Sequence, residues 1–148
     1  MCSGSVILAA AGVLDGKRAT SHWAALPVLK TLGAQPVGDQ RIVEADGKTV
    51  TAAGVSAGID LGLWLAGRIG GEAKAKAIQL SMEYDPQPPF DSGHMSKASA
   101  STKALATALM GKEMASPTTL AASTGLLWDA ALKRIRRGNR RSAAKITP

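Results

Sequence analysis

The sequence predicts an α/β domain, and three features support this prediction. Apolar segments of helical length alternate with short β-prone stretches, an order typical of helices layered on a sheet rather than of a helix bundle. Glycine and proline lie between these segments, where turns are expected. The 148 residues are 45% hydrophobic and 20% charged, a composition that fits one globular domain long enough to bury a core.

Helices are predicted where apolar residues recur at helical spacing, over residues 3–14, 24–32, 58–69, 72–82, 98–110 and 120–135. Strands are predicted where β-prone residues are bounded by turn signals, over residues 18–22, 41–45 and 49–53. Three short strands are too few for the central sheet that so many helices would cover. We therefore expect that the chain is only part of an α/β domain.

The individual boundaries follow from local signals in chain order. The first helix is apolar on nearly every side and is expected to end at Asp15-Gly16. The second accommodates a proline in its first turn and stops at Gly33. Asp46-Gly47 is a hairpin turn signal between the second and third strands. The proline-rich stretch over residues 83–93 predicts an ordered loop before the two weaker helices.

The net charge of +7 is confined to one end of the chain. Seven of the 18 basic residues lie in residues 133–148 without any acidic residue, and the other eleven equal the 11 acidic residues. This basic tail can bind nucleic-acid phosphates, but a solvated helix end is the simpler interpretation, because no aromatic residues are interleaved with the charges. We therefore expect no nucleic-acid partner.

Composition also indicates the compartment. A single cysteine excludes an internal disulfide. A signal peptide requires a basic residue before its apolar run, and this sequence has none there. The longest apolar stretch, residues 52–66, contains Asp60 and is shorter than the ~20 residues that a membrane span needs. We predict a cytoplasmic protein without a membrane interaction, a cofactor or a metal site.

The one cysteine, Cys2, directly precedes the first predicted helix. Unpaired N–H groups and the positive end of a helix dipole stabilise a thiolate, and the small residues that follow leave room for a substrate. The Ser3 N–H would then be placed to bind an oxyanion. Such a strand-turn-helix arrangement is a nucleophile elbow. The alternative is a small terminal residue without a role.

Three segments together resemble the ThiJ/PfpI superfamily, which is related to class I glutamine amidotransferases. They are CSGSVILAAAGVLDGKRATSHW from residue 2, GVSAGIDLGLWLA from residue 54 and LSMEYDPQPPF from residue 80. The resemblance is greatest to the isonitrile-hydratase-like branch, which also forms the N-terminal domain of some AraC-type regulators. It implies a flavodoxin-like three-layer sandwich, with residues 1–95 as its C-terminal part, residues 96–132 as C-terminal helices and residues 133–148 as a flexible basic tail.

By position, the resemblance implies a role for several residues. Cys2 matches the nucleophile and Ser3 the small hydroxyl residue after it, while His22 matches a histidine near the cysteine. In the substrate pocket, Tyr84 matches a lining tyrosine, and the loop that begins with Gly54 and Val55 matches the segment packed against the nucleophile. Three of these matches also have a structural interpretation. His22 is then a hydrogen-bonded histidine, Tyr84 lies at the rim of a core, and the glycines after residue 53 allow tight packing.

The sequence departs from the family at two points. The protease-like branch has histidine directly after the cysteine, where this chain has Ser3, so proteolysis is disfavoured. The strand before the elbow, an acidic partner and a second oxyanion donor come from upstream in the family, where this sequence has only Met1. We expect a cysteine-dependent hydro-lyase or hydrolase of the isonitrile-hydratase type that is inactive or impaired as this chain.

Two other functions stay open at this point. The chain is a non-enzymatic remnant, or it is the ligand-sensing half of an AraC-type transcription regulator. The expected ligand is a small isonitrile-like electrophile. Because dimers are common in the family that the sequence resembles, a homodimer is the expected assembly.

Overall fold

The computed structural model describes residues 2–114, together with residues 124, 125, 128, 131 and 132. Its helices are α1 (Gly4–Ala10), α2 (Leu26–Thr31), α3 (Val55–Gly70), α4 (Glu72–Ser81) and α5 (Ala100–Met114). Its strands are β1 (Arg18–Ala19), β2 (Gln35–Pro36), β3 (Ile42–Asp46) and β4 (Thr49–Ala52). The predicted helix over residues 120–135 and the basic tail lie mostly or wholly outside the described residues.

Strands β1 and β2 form a parallel pair that α2 connects, which is a short β-α-β unit. The Gln35 N–H donates to the Lys17 carbonyl, and the Val37 N–H donates to the Ala19 carbonyl, each over 2.8 Å. The residues after Ala19 leave the strand and lead into a 3-10 turn over Trp23–Ala25. The predicted strand over residues 18–22 is therefore shorter, and β2 has no β-prone sequence from which to predict it.

Strands β3 and β4 form the antiparallel hairpin that the Asp46-Gly47 signal predicts. The Lys48 N–H donates to Asp46 Oδ1 at 3.0 Å, and Lys17 Nζ lies 2.7 Å from Asp46 Oδ2. This Lys17 contact, followed by the turn hydrogen bonds, holds the pKa of the Asp46 carboxyl well below its ordinary value. The ion pair thus joins the hairpin turn to the residue before β1.

The buried core lies between α1, α2 and the parallel pair. Its residues are Ala9, Leu14, Ala19, Leu29, Leu32 and Ala34. Half of these residues are alanine, whose small side chain lets the helices and strands approach closely around Leu29 in α2 and Leu32 directly after it. Helix α3, by contrast, has only one buried residue among those described, Ala57.

Helices α1 and α2 end in the same way, with glycine in the left-handed region. In α1, Gly12 has φ +82°, its N–H donates to the Ala9 carbonyl, and the Val13 N–H donates to the Leu8 carbonyl. This Schellman motif ends the helix at Ala10, so the predicted end at Leu14 is wrong. Leu14 lies beyond the helix and is nevertheless fully buried.

Helix α4 ends in a Schellman motif without glycine. Glu83 has φ +50° and donates its N–H to the Leu80 carbonyl, and the Tyr84 N–H donates to the Gln79 carbonyl at 3.1 Å. The left-handed region disfavours a side chain with a Cβ atom. This motif also fixes where Tyr84 leaves the helix, and the Gln79 side-chain amide donates to the Tyr84 carbonyl at 3.1 Å.

We expect Glu83→Gly to stabilise the protein, because glycine adopts the left-handed region without strain. The larger chain entropy of glycine in the unfolded state opposes this gain, and the expected net effect is about 0.5–1 kcal/mol. Urea-induced unfolding followed by circular dichroism measures the change in the free energy of unfolding. Glu83→Ala is the matched control, because it removes the carboxylate and keeps the Cβ atom. Equal stabilities of the glycine and alanine variants would contradict a conformational origin.

Helix α3 is longer at its N-terminus than predicted. It begins at Val55 rather than residue 58, because Gly54 is extended and serves as its N-cap. It runs antiparallel to α4, with Gly71 (φ +86°) between them. Within the part of the chain that the structure describes, no helix has the length and apolar character needed to cross a membrane.

Candidate active site

Cys2 has a left-handed backbone, with φ +46°. A residue with a Cβ atom rarely adopts this conformation, which costs on the order of 1–3 kcal/mol and occurs preferentially at functional sites. The side chain is half-buried and forms no disulfide. Helix α1 starts two residues later, with Ser3 as its exposed N-cap. The turn before the helix is thus as sharp as a nucleophile elbow requires.

Three hydrogen bonds hold the Cys2 backbone in this conformation. The Cys2 N–H donates to the Ala53 carbonyl at 2.8 Å. The Cys2 carbonyl accepts from Ser21 Oγ at 2.7 Å and from Ser5 Oγ at 3.1 Å. Ala53 directly follows β4, so the junction between β4 and α3 lies against Cys2.

A cleft of about 540 Å³ opens beside this junction. Its apolar lining consists of Trp23, Leu26, Val55, Ile59 and Met95. Its polar lining includes Ser21, His22, Arg41, Ser56 and His94. A cavity of this size accepts a small organic molecule, with polar groups near enough to orient it.

His22 lines the cleft. In the sequence it directly follows Ser21, whose hydroxyl donates to the Cys2 carbonyl. Its Nδ1 accepts from the Ala24 N–H at 3.3 Å, which caps the 3-10 turn. Its ring also lies 5.2 Å from the Trp23 ring, centroid to centroid. Because Nδ1 accepts the Ala24 hydrogen bond, Nε2 carries the proton of the neutral ring and can donate a hydrogen bond.

A second histidine, His94, lines the same cleft from the loop after α4. Its Nε2 lies 3.2 Å from the Gly38 carbonyl and donates to it, while Nδ1 accepts from the Ser96 N–H at 3.1 Å. The loop is thereby attached across the cleft. Sequence analysis did not select His94, because it lies in a stretch of serine, glycine and proline without a periodic pattern.

An ion pair at the edge of the cleft involves Asp60, to which the sequence analysis assigned no role. Arg41 contacts Asp60 through both Nε and a terminal nitrogen, and the Tyr84 hydroxyl donates to Asp60 Oδ1 at 2.8 Å. The Tyr84 hydroxyl also lies 3.4 Å from the Ser56 carbonyl. The Asp60 hydrogen bond, together with burial, raises the pKa of Tyr84 above its ordinary value of 10.0.

The predicted pocket residues therefore have different positions. Gly54 and Val55 line the cleft. Tyr84 is half-buried and bonded to Asp60, and it connects the end of α4 to α3 beside the cleft. His22 lines the cleft, whereas Cys2 and Ser3 are not among its lining residues. Cys2 is connected to the lining through Ser21 and Ala53.

Comparison with known proteins supports the family resemblance. Residues 1–67 match the DJ-1/PfpI family. The predicted resemblance to the ThiJ/PfpI superfamily is thus confirmed over this segment. The crystal structure of a ThiJ/PfpI family protein from Pseudomonas syringae superposes with a TM-score of 0.71 at 38% identity, over 85% of this chain and 49% of that one. The flavodoxin-like α/β class predicted from the sequence is thus confirmed for the matched part.

Two curated relatives differ in what their names describe. The isonitrile hydratase of Pseudomonas putida is 53% identical over 93 residues, which are 63% of this chain and 40% of that protein. The HTH-type transcriptional regulator CdhR of Pseudomonas aeruginosa is 42% identical over 85 residues, which are 57% of this chain and 24% of that protein. The chain thus spans less than half the length of either relative.

We expect the phenol of Tyr84 to titrate above pH 10, and Asp60→Asn to lower its pKa. The neutral amide removes the negative charge that opposes phenolate formation and leaves Arg41 to favour it. Because the chain has one tyrosine, absorbance at 295 nm measures this group alone. Asp85→Asn is the control, since Asp85 bonds to Gln87 instead. A Tyr84 midpoint unchanged by Asp60→Asn would contradict the described contact.

Proposed function

We propose that this chain carries the nucleophile of a cysteine-dependent hydro-lyase that acts on a small isonitrile-like electrophile. One observation carries the proposal: Cys2 has a left-handed backbone before a helix and beside a cleft, in a chain that is 53% identical to an isonitrile hydratase over 93 residues. Similarity over part of the chain supports the reaction type. The substituent that the substrate carries is left open.

The proposed reaction adds one water to the isonitrile carbon. The Cys2 thiolate attacks this carbon, a carbon–sulfur bond forms, and a proton is added to the carbon to give a thioimidate. Water then adds to the carbon–nitrogen double bond. Loss of the thiol breaks the carbon–sulfur bond and leaves an N-substituted formamide, so the nucleophile is regenerated and the sum is isonitrile plus water.

The described residues support distinct parts of this reaction. The Ser3 N–H is the proposed donor to negative charge that develops at the first turn of α1. His22 is the proposed hydrogen-bond donor to the reacting atoms through Nε2–H, since Nδ1 accepts from the Ala24 N–H. The apolar walls formed by Trp23, Leu26 and Ile59 fit an apolar substituent.

Full activity also needs a carboxylate that exchanges a proton with the reacting atoms. Among the carboxylates that the structure describes, Asp60, Asp46 and Glu44 pair with Arg41, Lys17 and Arg68, and Asp39 is exposed in the cleft lining. We propose that the 148-residue chain, whose match covers 40% of the isonitrile hydratase, is impaired as a catalyst. Groups that act as a unit lose nearly all activity when one is absent.

We expect negligible hydration of an alkyl isonitrile by this chain, and clear hydration by a fusion with the N-terminal half of a related hydratase. Formamide formation is followed by proton NMR. In the fusion, Cys2→Ala should lower the rate by a factor of about 1,000 or more, as removal of a nucleophile does. Turnover that does not change with Cys2→Ala would contradict the proposed nucleophile, and Cys2-dependent turnover by the chain alone would contradict the proposed impairment.

A second candidate function is ligand sensing. The 42% identity to an HTH-type transcriptional regulator over 85 residues favours it. In a sensor, the same cleft binds a ligand without turnover. Ligand binding by calorimetry and formamide formation, both measured in the fusion, separate the two. A sensor binds the isonitrile with equal affinity in the fusion and in its Cys2→Ala variant and forms no formamide in either, whereas an enzyme forms formamide that depends on Cys2.

The proposed assembly is a homodimer formed through the apolar surface of α3 and α4. The most exposed apolar side chains of these helices are Ile69, at 79%, and Leu80, at 81%. Val55, at the start of α3, is also exposed. Exposed apolar surface of this kind marks a contact with another protein surface.

We expect this chain to sediment as a dimer and the double variant Ile69→Gln, Leu80→Gln to shift towards monomer, because apolar burial at the contact is lost. Analytical ultracentrifugation over a range of concentrations measures the distribution. Ile7→Gln is the matched control, since Ile7 is 68% exposed but belongs to α1. A monomeric parent chain, or an equal shift in the control, would contradict this surface.

A further inference from the structure

The hydroxyl of Ser21 forms the shortest hydrogen bond to the Cys2 backbone, 2.7 Å to its carbonyl oxygen. Ser21 is 2% exposed and Cys2 is half-buried, so this bond is partly buried. The second donor to the same oxygen, Ser5, lies three residues along the chain and belongs to the elbow itself. Ser21 is 19 residues away, so its bond connects the elbow to a different segment.

That segment is fixed on both sides of Ser21. On one side, the Thr20 N–H donates to Thr51 Oγ1 at 2.9 Å, and both threonines are buried. On the other, His22 accepts from the Ala24 N–H through Nδ1. Because neither neighbour of Ser21 can move freely, the Ser21 hydrogen bond fixes the Cys2 backbone relative to this segment.

We propose that Ser21 is a positioning residue that sets the imidazole of His22 relative to the thiol of Cys2. The proposal rests on the proposed function, in which Cys2 is the nucleophile and the Nε2–H of His22 is a hydrogen-bond donor to the reacting atoms. Its basis is the sequence adjacency of Ser21 and His22, combined with the direct bond from Ser21 to Cys2. Ser21 itself does not touch the reacting atoms.

The single cysteine permits a test that does not depend on turnover. Alkylation by iodoacetamide reports on the Cys2 thiolate, which a nearby imidazole stabilises. We expect His22→Ala to slow alkylation about fivefold when Ser21 is present, and to have almost no effect in the Ser21→Ala background. The four proteins form a double-mutant cycle, with rates measured by mass spectrometry across neutral pH.

Three further backgrounds separate positioning from general destabilisation. Ser21→Thr keeps a hydroxyl and should preserve the His22 effect. Ser5→Ala removes the other donor to the Cys2 carbonyl and should also preserve it. Leu29→Val loosens the buried core without touching the elbow, so the His22 effect should persist there as well. Circular dichroism confirms that each variant is folded.

The outcomes are distinct. A His22 effect that disappears only in Ser21→Ala supports the proposal. An equal effect in both the parent and the Ser21→Ala background overturns it, as does the absence of any effect in the parent chain. If Ser21→Ala does not fold, loss of the effect in folded Ser21→Thr overturns it and retention supports it. Failure of the hydration assay alone, with the cycle as expected, counts against the proposed function and not against the positioning role.

Discussion

The hydrogen bond from the Cys2 N–H to the Ala53 carbonyl joins the start of the described chain to the junction between β4 and α3. This contact places Cys2 beside the cleft, because Ala53 and residues that follow it line the cleft together with the segment that follows β1. The Cys2 carbonyl accepts from Ser5 of α1 and from Ser21 in the segment that follows β1. The rare left-handed backbone is retained because the N–H and the carbonyl of Cys2 are both hydrogen-bonded.

The sequence predicted the helices and the hairpin well where local signals act alone. Asp46-Gly47 specified the hairpin turn, and the apolar stretches gave α3 and α4 to within a few residues. The strand β2 could not be predicted, since Gln35-Pro36 pairs with β1 only because α2 places it there. The early end of α1 at Gly12 was missed, because burial of Leu14 beyond the helix imitates helical periodicity.

The candidate site shows the same division. Cys2, Ser3 and His22 were selected because they belong to continuous motifs, and Gly54 and Val55 line the cleft as the resemblance implies. The contacts of Asp60 and His94 join residues 19 to 56 positions apart, which no local pattern indicates. Ser21 lies inside a quoted motif, yet its contact with Cys2 becomes visible only when β1 and the elbow are adjacent.

Tyr84 shows how the end of a helix contributes to the edge of a cleft. The strained Glu83 directs the chain after α4 back towards α3, where the Tyr84 hydroxyl meets Asp60. Asp60 in turn holds Arg41 at the start of the hairpin. The positive charge of Arg41 is therefore balanced at the rim, so the cleft favours neutral molecules more than an unpaired arginine would allow. A neutral electrophile with an apolar substituent fits this charge balance, whereas an anionic substrate has no unpaired cation among these described contacts to bind it.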